Sequence, residues 1–445
     1  MTERIERQVF ATPRAAEYFE LRNLQAQTDQ PARRFPEVIL KELVDNALDA
    51  AETAGVQPEV SVEAVEHPDG LRLGVGDNGP GMPPDLVAKV LDFSVLVSDK
   101  ANYRSPSRGQ QGNALKTVLG IPFAIGSAQP VVVEACGVRH EVRAGIDPAG
   151  ELRIDHQQRP VPARPGTVVT VGLVDTPQLV WTLERVDVGR WTRGYALVNP
   201  HASIGYLAHD GDGGDRETYK STAGDGWRKP LPTDPTSAWW YDEAALGRLV
   251  FAHVGVARRG GDDLPLGAFV RSFAGLTSTT KAKTVCARLD GVRWLSDFEA
   301  DPAAVATLLA AMQAASRPPK PSVLGRVDEQ HYRSCFGDWY GVRRFWFKRV
   351  STTHEAVPWV VEVAVAETER PGELYYAVNY SPTFGDPLAR LPLAAGEVFT
   401  TGAESFLRQV DAYPDGGNHR AAAIHVICPA LQFLDRGKTT LEVPR

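Results

Sequence analysis

The chain has 445 residues, of which 43% are hydrophobic and 23% charged, a composition that buries a core in each of two or three domains and excludes a disordered protein. A formal charge of −7 and a pI near 5.9 exclude a surface that grips nucleic acid all over and leave room only for a local basic patch. Four scattered cysteines without a C-x-x-C pair exclude a disulfide scaffold and a zinc site, and no run reaches the roughly 20 apolar residues of a membrane span. With no apolar signal core at the N-terminus, the expectation is a cytoplasmic protein that touches no membrane.

In chain order, the pattern predicts a helix over 36–54, strands over 58–66 and 71–76, a DNGPGMPP loop, a helix over 84–92, a polar stretch over 98–113 and a further helix from about 112. VVVEACGVRHEVRAG and PGTVVTVGLV alternate like antiparallel strands, and a helix runs through RVDVGRWTRGYALVNP to Pro200. Gly, Asp, Pro and Thr crowd 207–237, which reads as a hairpin plus linker with a domain boundary near 230. Residues 241–315 are mostly helical, and RPPKPSV at 317–323 is a second linker. From 340 onward FWFKRV, WVVEVAVAE, LYYAVNYSP and AAAIHVICPA read as strands, with a helix at 402–412. The fold class is α+β in three domains, 1–230, 231–318 and 319–445.

KELVDNALDA at 41–50 places Glu42, Asn46 and Asp49 at i, i+4 and i+7, one polar stripe on a helix whose other face is Ile39, Leu43, Ala47, Leu40, Val44 and Leu48. Taken alone, such a stripe is a solvated helix face. VGDNGPGM at 75–82 follows a strand with an acid and two glycines. The glycines allow a tight turn against a flat ligand, and Asp77 can accept from an exocyclic amine, although DNGPG is also an ordinary turn. RGQQGNALK at 108–116 runs a Gly-rich loop into a helix, the geometry that offers backbone N–H groups to phosphate. PGTVVTV puts Gly166 and Thr167 at a strand start.

The order of these motifs resembles the GHKL ATPases, the superfamily of gyrase, the ninety-kilodalton heat-shock chaperone, histidine kinases and MutL. ELVDNALDA, VGDNGPGM, SRGQQG and ALVNPHA look most like the B subunit of the type IIB enzyme, DNA topoisomerase VI. FVRSFAGLTSTTKAKTV resembles that family's helix–two-turn–helix insert. RPPKPSVLGRVDEQHY and the later strands resemble its transducer domain. The resemblance implies a Bergerat-fold ATPase sandwich that uses ATP and Mg²⁺. Glu42 would be the general base toward the attacking water, and Asn46 would hold Mg²⁺ through its amide oxygen. Asp77 would read the adenine amine, with Thr167 supporting it through water, while Gly79, Gly81 and Met82 shape the pocket and Asp49 supports it. Arg108, Gly109, Gln110, Gln111, Gly112, Asn113, Ala114 and Leu115 would wrap the phosphates, with Lys100 and Lys116 as further phosphate contacts or as plain surface lysines. Lys438 would reach the γ-phosphate from the last domain.

Two departures stand out. The family's third loop glycine is replaced, since Asn113 and Ala114 follow Gly112, and the sequence ends at Arg445 where the family continues into a helix that docks its DNA-cleaving A subunit. The implied function is an ATP-dependent dimeric clamp on double-stranded DNA, with cleavage by a separate topoisomerase A-like or nuclease partner. A nucleotide-dependent scaffold acting on a protein partner is the alternative, favoured by the acidic net charge. No histidine precedes Asn46, which sets aside a histidine kinase. VRRFWFKRV at 342–350 interleaves basic and aromatic residues, which suits a nucleic-acid surface or a strand with one wet face.

Overall fold

The computed structural model describes residues 17–93, 102–108, 114–147, 151–210, 213–224, 226–395, 398–414, 419–433 and 440–442. The first part carries helices α1 (Leu21–Thr28), α2 (Phe35–Thr53), α3 (Pro84–Val90), α4 (Ala114–Ala124) and α5 (Val188–Val198). Its strands are β1 (Glu59–His67), β2 (Gly70–Gly76), β3 (Val131–Ala135), β4 (Val138–Ile146), β5 (Leu152–Pro160), β6 (Thr167–Val174), β7 (Ser203–His209) and β8 (Gly214–Tyr219). They form one eight-stranded sheet in the order β5-β4-β3-β6-β2-β1-β7-β8, antiparallel except where β1 runs parallel to β7.

Burial alternates along β1, as a sheet with one covered face requires, whereas the more central β2 is buried at six of its seven positions. Helix α2 starts with Pro36 in its first turn, where the missing N–H costs nothing. Its Ile39, Leu40, Leu43, Val44 and Leu48 are sealed against Val62, Leu73, Val75 and Val171 of the sheet. Asp187 caps α5 by accepting from the Arg190 amide at 2.8 Å.

A helical part follows, with α6 (Glu243–Arg258), α7 (Leu266–Arg271), α8 (Thr279–Cys286) and α9 (Ala304–Ala315) closed over Phe269, Phe273, Phe298, Leu308 and Met312. The last part contains α10 (Glu329–Tyr340), β9 (Val342–His354), β10 (Val357–Thr368), β11 (Leu374–Val378), β12 (Ser381–Pro382), β13 (Pro392–Ala395), β14 (Val398–Thr401), α11 (Gly402–Gln409), β15 (Arg420–Ile427), β16 (Gln432–Phe433) and β17 (Leu441–Glu442). Its main sheet has the order β12-β11-β15-β10-β9. Tyr332 and Phe336 of α10 cover one face, and Leu407 of α11 with Leu388 covers the other. No helix among the described residues is long and apolar enough to cross a membrane.

LYYAVNYSP is not one strand. It turns at Asn379 and Tyr380, both left-handed at φ 48° and 66°, before re-pairing as β12. Two successive positive φ values give the turn a twist that matches an antiparallel pair, at a strain that non-glycine residues carry only when their surroundings hold them.

Candidate nucleotide site

Strand β2 ends by delivering Asp77 beside the start of β6. The Asp77 amide donates to the Thr167 carbonyl at 3.0 Å, and its Oδ1 accepts from the amides of Gly79 at 2.8 Å and Thr167 at 3.3 Å. These bonds fix the carboxylate while leaving Oδ2 without a partner among the described residues. Burial raises the Asp77 carboxyl above its ordinary value, and the two amides oppose that rise.

The glycines around Asp77 are required by space as well as by turn geometry. A Cβ on Gly166, at φ +80°, would stand 1.7 Å from the Asp77 carbonyl oxygen. One on Gly79 would come within 3.1 Å of the α2 backbone at Ala50, so the loop lies directly on α2. Gly81, at φ +83°, rests against the Cys136 sulfur and the Gly166 carbonyl. Met82 is half-buried and packs on the main core, and Thr167 is buried.

On α2, Glu42 is half-buried and Asn46, one turn on, is exposed. Neither side chain hydrogen-bonds to another described residue, so both keep their oxygens for a ligand. A half-buried carboxylate beside an exposed amide oxygen is a hard-oxygen donor set that fits Mg²⁺ held mainly by phosphate. No group of three or more His, Cys, Asp or Glu side chains placed to hold a metal occurs among the described residues. Leu115, at the start of α4, is half-buried against the core. Lys100, Gly109, Gln110, Gln111, Gly112, Asn113 and Lys438 lie outside the described residues, as does the side chain of Ala114.

The structure redirects three expected contacts. Lys116 is neither on the surface nor free for phosphate: it is buried, bonded to the Asp92 carbonyl and set over the Phe93 ring at 5.5 Å. Arg108, expected to wrap phosphate, is 3% exposed and turned behind α2, because three carboxylates are there to receive it. Asp49, expected to support the pocket, is one of the three. Arg108 Nε stands 3.4 Å from Asp49 Oδ1 and 3.9 Å from Asp45 Oδ1, and an Nη donates to Glu52 Oε1 at 2.5 Å. Its other Nη donates to Asn199 Oδ1 at 2.8 Å and to the Tyr380 carbonyl at 3.0 Å.

Around this hub Lys41 pairs with Asp45 at 2.8 Å and Lys229 with Glu52 at 2.7 Å, so among the described residues three cations face three carboxylates. Ser381 and Tyr195 donate hydroxyls to Asp45, each at 2.9 Å, and His201 bonds Glu52 at 2.8 Å while stacking on Trp227. Burial alone would raise Glu52 and Asp45. For Glu52 the charges of Arg108 and Lys229 outweigh burial and hold the carboxyl well below its usual range, and Lys41 and Arg108 do the same for Asp45. Burial and Arg108 together push the Lys229 ammonium down to about 8.

This network was missed in the sequence. Its signal was a second acidic row, Asp45, Asp49 and Glu52 at i, i+4 and i+7, beside the Glu42–Asn46 row on an otherwise apolar helix.

Residues 32–175 match the family model described as "Histidine kinase-, DNA gyrase B-, and HSP90-like ATPase". The chain is 31% identical over 196 residues to the B subunit of type 2 DNA topoisomerase 6 from Natronomonas pharaonis, covering 42% of this chain and 23% of that protein. It is 28% identical over 204 residues to the corresponding protein of Archaeoglobus fulgidus (44% and 33%), and 37% over 120 residues to that of Halobacterium salinarum (27% and 15%). The matched stretch therefore spans a third or less of each of these relatives. The ATPase region of Saccharomyces cerevisiae topoisomerase II aligns with 91% of this chain and 76% of its own at 10% identity, with a TM-score of 0.41.

Proposed function

From a chain that carries a GHKL-type ATPase domain similar to that of the topoisomerase 6 B subunit, we propose an ATP-operated clamp: ATP binding closes a homodimer around double-stranded DNA, hydrolysis reopens it, and a separate protein cuts the DNA. The observation that carries the reading is the placement of Asp77. Its carboxylate is fixed through one oxygen by two backbone amides, with the other oxygen free among the described residues, in a glycine-lined recess laid on the helix that presents Glu42 and Asn46.

In this reading Asp77 accepts from the adenine amine, with Thr167 beside it, and the recess fits a flat base. Asn46 offers its amide oxygen to Mg²⁺, which supplies charge neutralisation at the phosphates. Glu42 orients and deprotonates the attacking water. Residues 1–230 form the ATPase unit, 231–318 the helix–two-turn–helix-like unit and 319–445 the transducer, with Lys438 contacting the γ-phosphate, all in the cytoplasm. The DNA surface is assigned to the exposed face of edge strand β9, where Trp346 is 51% exposed next to exposed Arg344 and Lys348.

The test is ATP hydrolysis by wild type and Glu42→Gln with and without DNA, together with mass in solution under a non-hydrolysable β,γ-imido analogue. The clamp predicts turnover lost in the variant, by about 10²-fold or more for a general base. It also predicts an analogue-driven doubling of mass, and DNA binding that weakens with salt. Analogue binding without dimerisation or DNA affinity would instead establish the scaffold reading.

A further inference from the structure

The buried charge network joins α2 directly to the β11–β12 turn of the last part, away from the nucleotide recess. Arg108 contacts the back of α2 through Asp45, Asp49 and Glu52, and the same guanidinium donates to the Tyr380 carbonyl at 3.0 Å. Asn199 doubles that link, donating its amide to the Tyr380 carbonyl at 2.9 Å while accepting from Arg108. Ser381, the next residue, donates to Asp45 at 2.9 Å. Lys229 reaches Glu52 and lies 5.0 Å over the Tyr380 ring.

The turn so held is strained and is tied on its other side to the core of the last sheet. The Tyr380 amide donates to His425 Nε2 at 3.1 Å. That ring nitrogen must therefore be the acceptor, which places the proton on Nδ1, 3.2 Å from Glu362 Oε2. Glu362, 1% exposed, also takes Arg349 at 2.8 Å and Tyr332 at 3.1 Å. Asn379 exchanges two 2.9 Å bonds with the Cys428 backbone. A shift of α2 cannot leave the β11–β12 turn in place without breaking bonds to a fully buried cation, and such bonds are costly to lose.

We propose that Arg108 is a positioning residue of the ATPase site: it locks α2, which carries Glu42 and Asn46, to the Asn379–Tyr380 turn, so that nucleotide engagement of α2 is passed to the last sheet and that sheet in turn sets the aim of Glu42. This rests on the ATP reading of the site. Arg108 touches no substrate and acts through α2. Its bond to the Tyr380 carbonyl, with those of His425 and Cys428 on the other side, helps to hold Asn379 and Tyr380 in their left-handed conformation.

The experiment uses the full chain. In wild type, hydrogen exchange with and without the β,γ-imido analogue should show protection rising in α2 and, together with it, in 374–382 and 420–428. Arg108→Lys should leave KM within about threefold and lower kcat at least about tenfold, because binding groups remain while the aim of Glu42 is lost. It should also abolish the protection gained at 374–382. Ser381→Ala, which removes one hydroxyl from Asp45, should lower kcat by about threefold at unchanged KM. A merely structural role would reduce the active fraction, leaving KM and the exchange pattern of the remaining protein as in wild type, and that outcome overturns the proposal. So does protection in wild-type α2 without any change at 374–382, a result that needs no variant to fold and leaves the ATP reading intact. Failure of wild type to bind the analogue would remove the ATP reading itself.

Discussion

Replacing Arg108 by Met tests the charge balance of the interior directly. The side chain is entirely shielded, and three carboxylates lie 2.5 to 3.9 Å from its guanidinium. With Arg108 gone, Lys41 and Lys229 are the cations among the described residues that remain beside Asp45 and Glu52, and the buried carboxylates lose the guanidinium they share. Breaking a buried pair from one side costs about 3–5 kcal/mol. The lost bonds to the Asn199 side chain and the Tyr380 carbonyl add about 1 kcal/mol each. Against a total stability of about 5–15 kcal/mol, the variant should lose roughly 5–7 kcal/mol at pH 7.5, read from urea unfolding followed by tryptophan fluorescence.

The pH dependence separates this account from simple loss of packing. In wild type Asp45 and Glu52 are held below their ordinary values of 3.8 and 4.5, so their stabilisation is complete above those values and is lost as pH falls through the depressed ones. In the variant burial is less opposed, a carboxyl rises, and protonation relieves the excess charge. The deficit should therefore shrink between pH 7.5 and 5. A deficit below about 1 kcal/mol, or one that stays constant across that range, would refute the reasoning.

Gly166→Ala should weaken nucleotide binding by about tenfold or more in a calorimetric titration, because its Cβ would meet the Asp77 carbonyl oxygen at 1.7 Å and displace the carboxylate; unchanged affinity would remove Asp77 from the adenine site. Lys229 predicts an alkaline gain in stability. Its folded value near 8 lies below the ordinary 10.5, so between those values the unfolded chain binds more protons. The cost of burying its charge, about 3 kcal/mol, is in full force below pH 8 and is relieved as pH rises toward 10.5. Lys229→Met should flatten that part of the stability–pH curve, and an identical slope in both proteins would show that another group titrates there.

What the sequence disclosed follows from local periodicity. The helix over 36–54 is α2 at Phe35–Thr53, and the strands over 58–66 and 71–76 are β1 and β2 within a residue or so, because a 3.6-residue or two-residue repeat is written in neighbouring positions. Glycines that mark close approach were legible for the same reason, as at Gly79 and Gly166. The Arg108 hub could not be read this way. Asp45 meets Ser381 across 336 positions, and Arg108 meets Tyr380 across 272. Nothing in SRGQQG tells a phosphate-facing arginine from a buried one, since both need a cation and a turn.

The two polar rows of α2 divide their work by burial. Glu42 and Asn46 stand where water and a ligand can reach them, so they keep unspent oxygens, as a reacting centre requires. Asp45, Asp49 and Glu52 are 4–5% exposed, and carboxylates there are tolerable only with cations beside them. Arg108 suits that place better than lysine would, since its planar fork serves carboxylates, an amide oxygen and a backbone carbonyl at once, in fixed directions. A helix that carried only the first row could slide in its bed of aliphatic side chains by small increments. The second row makes that movement discrete, because a guanidinium shared between α2 and the Tyr380 turn holds both in register or releases them together.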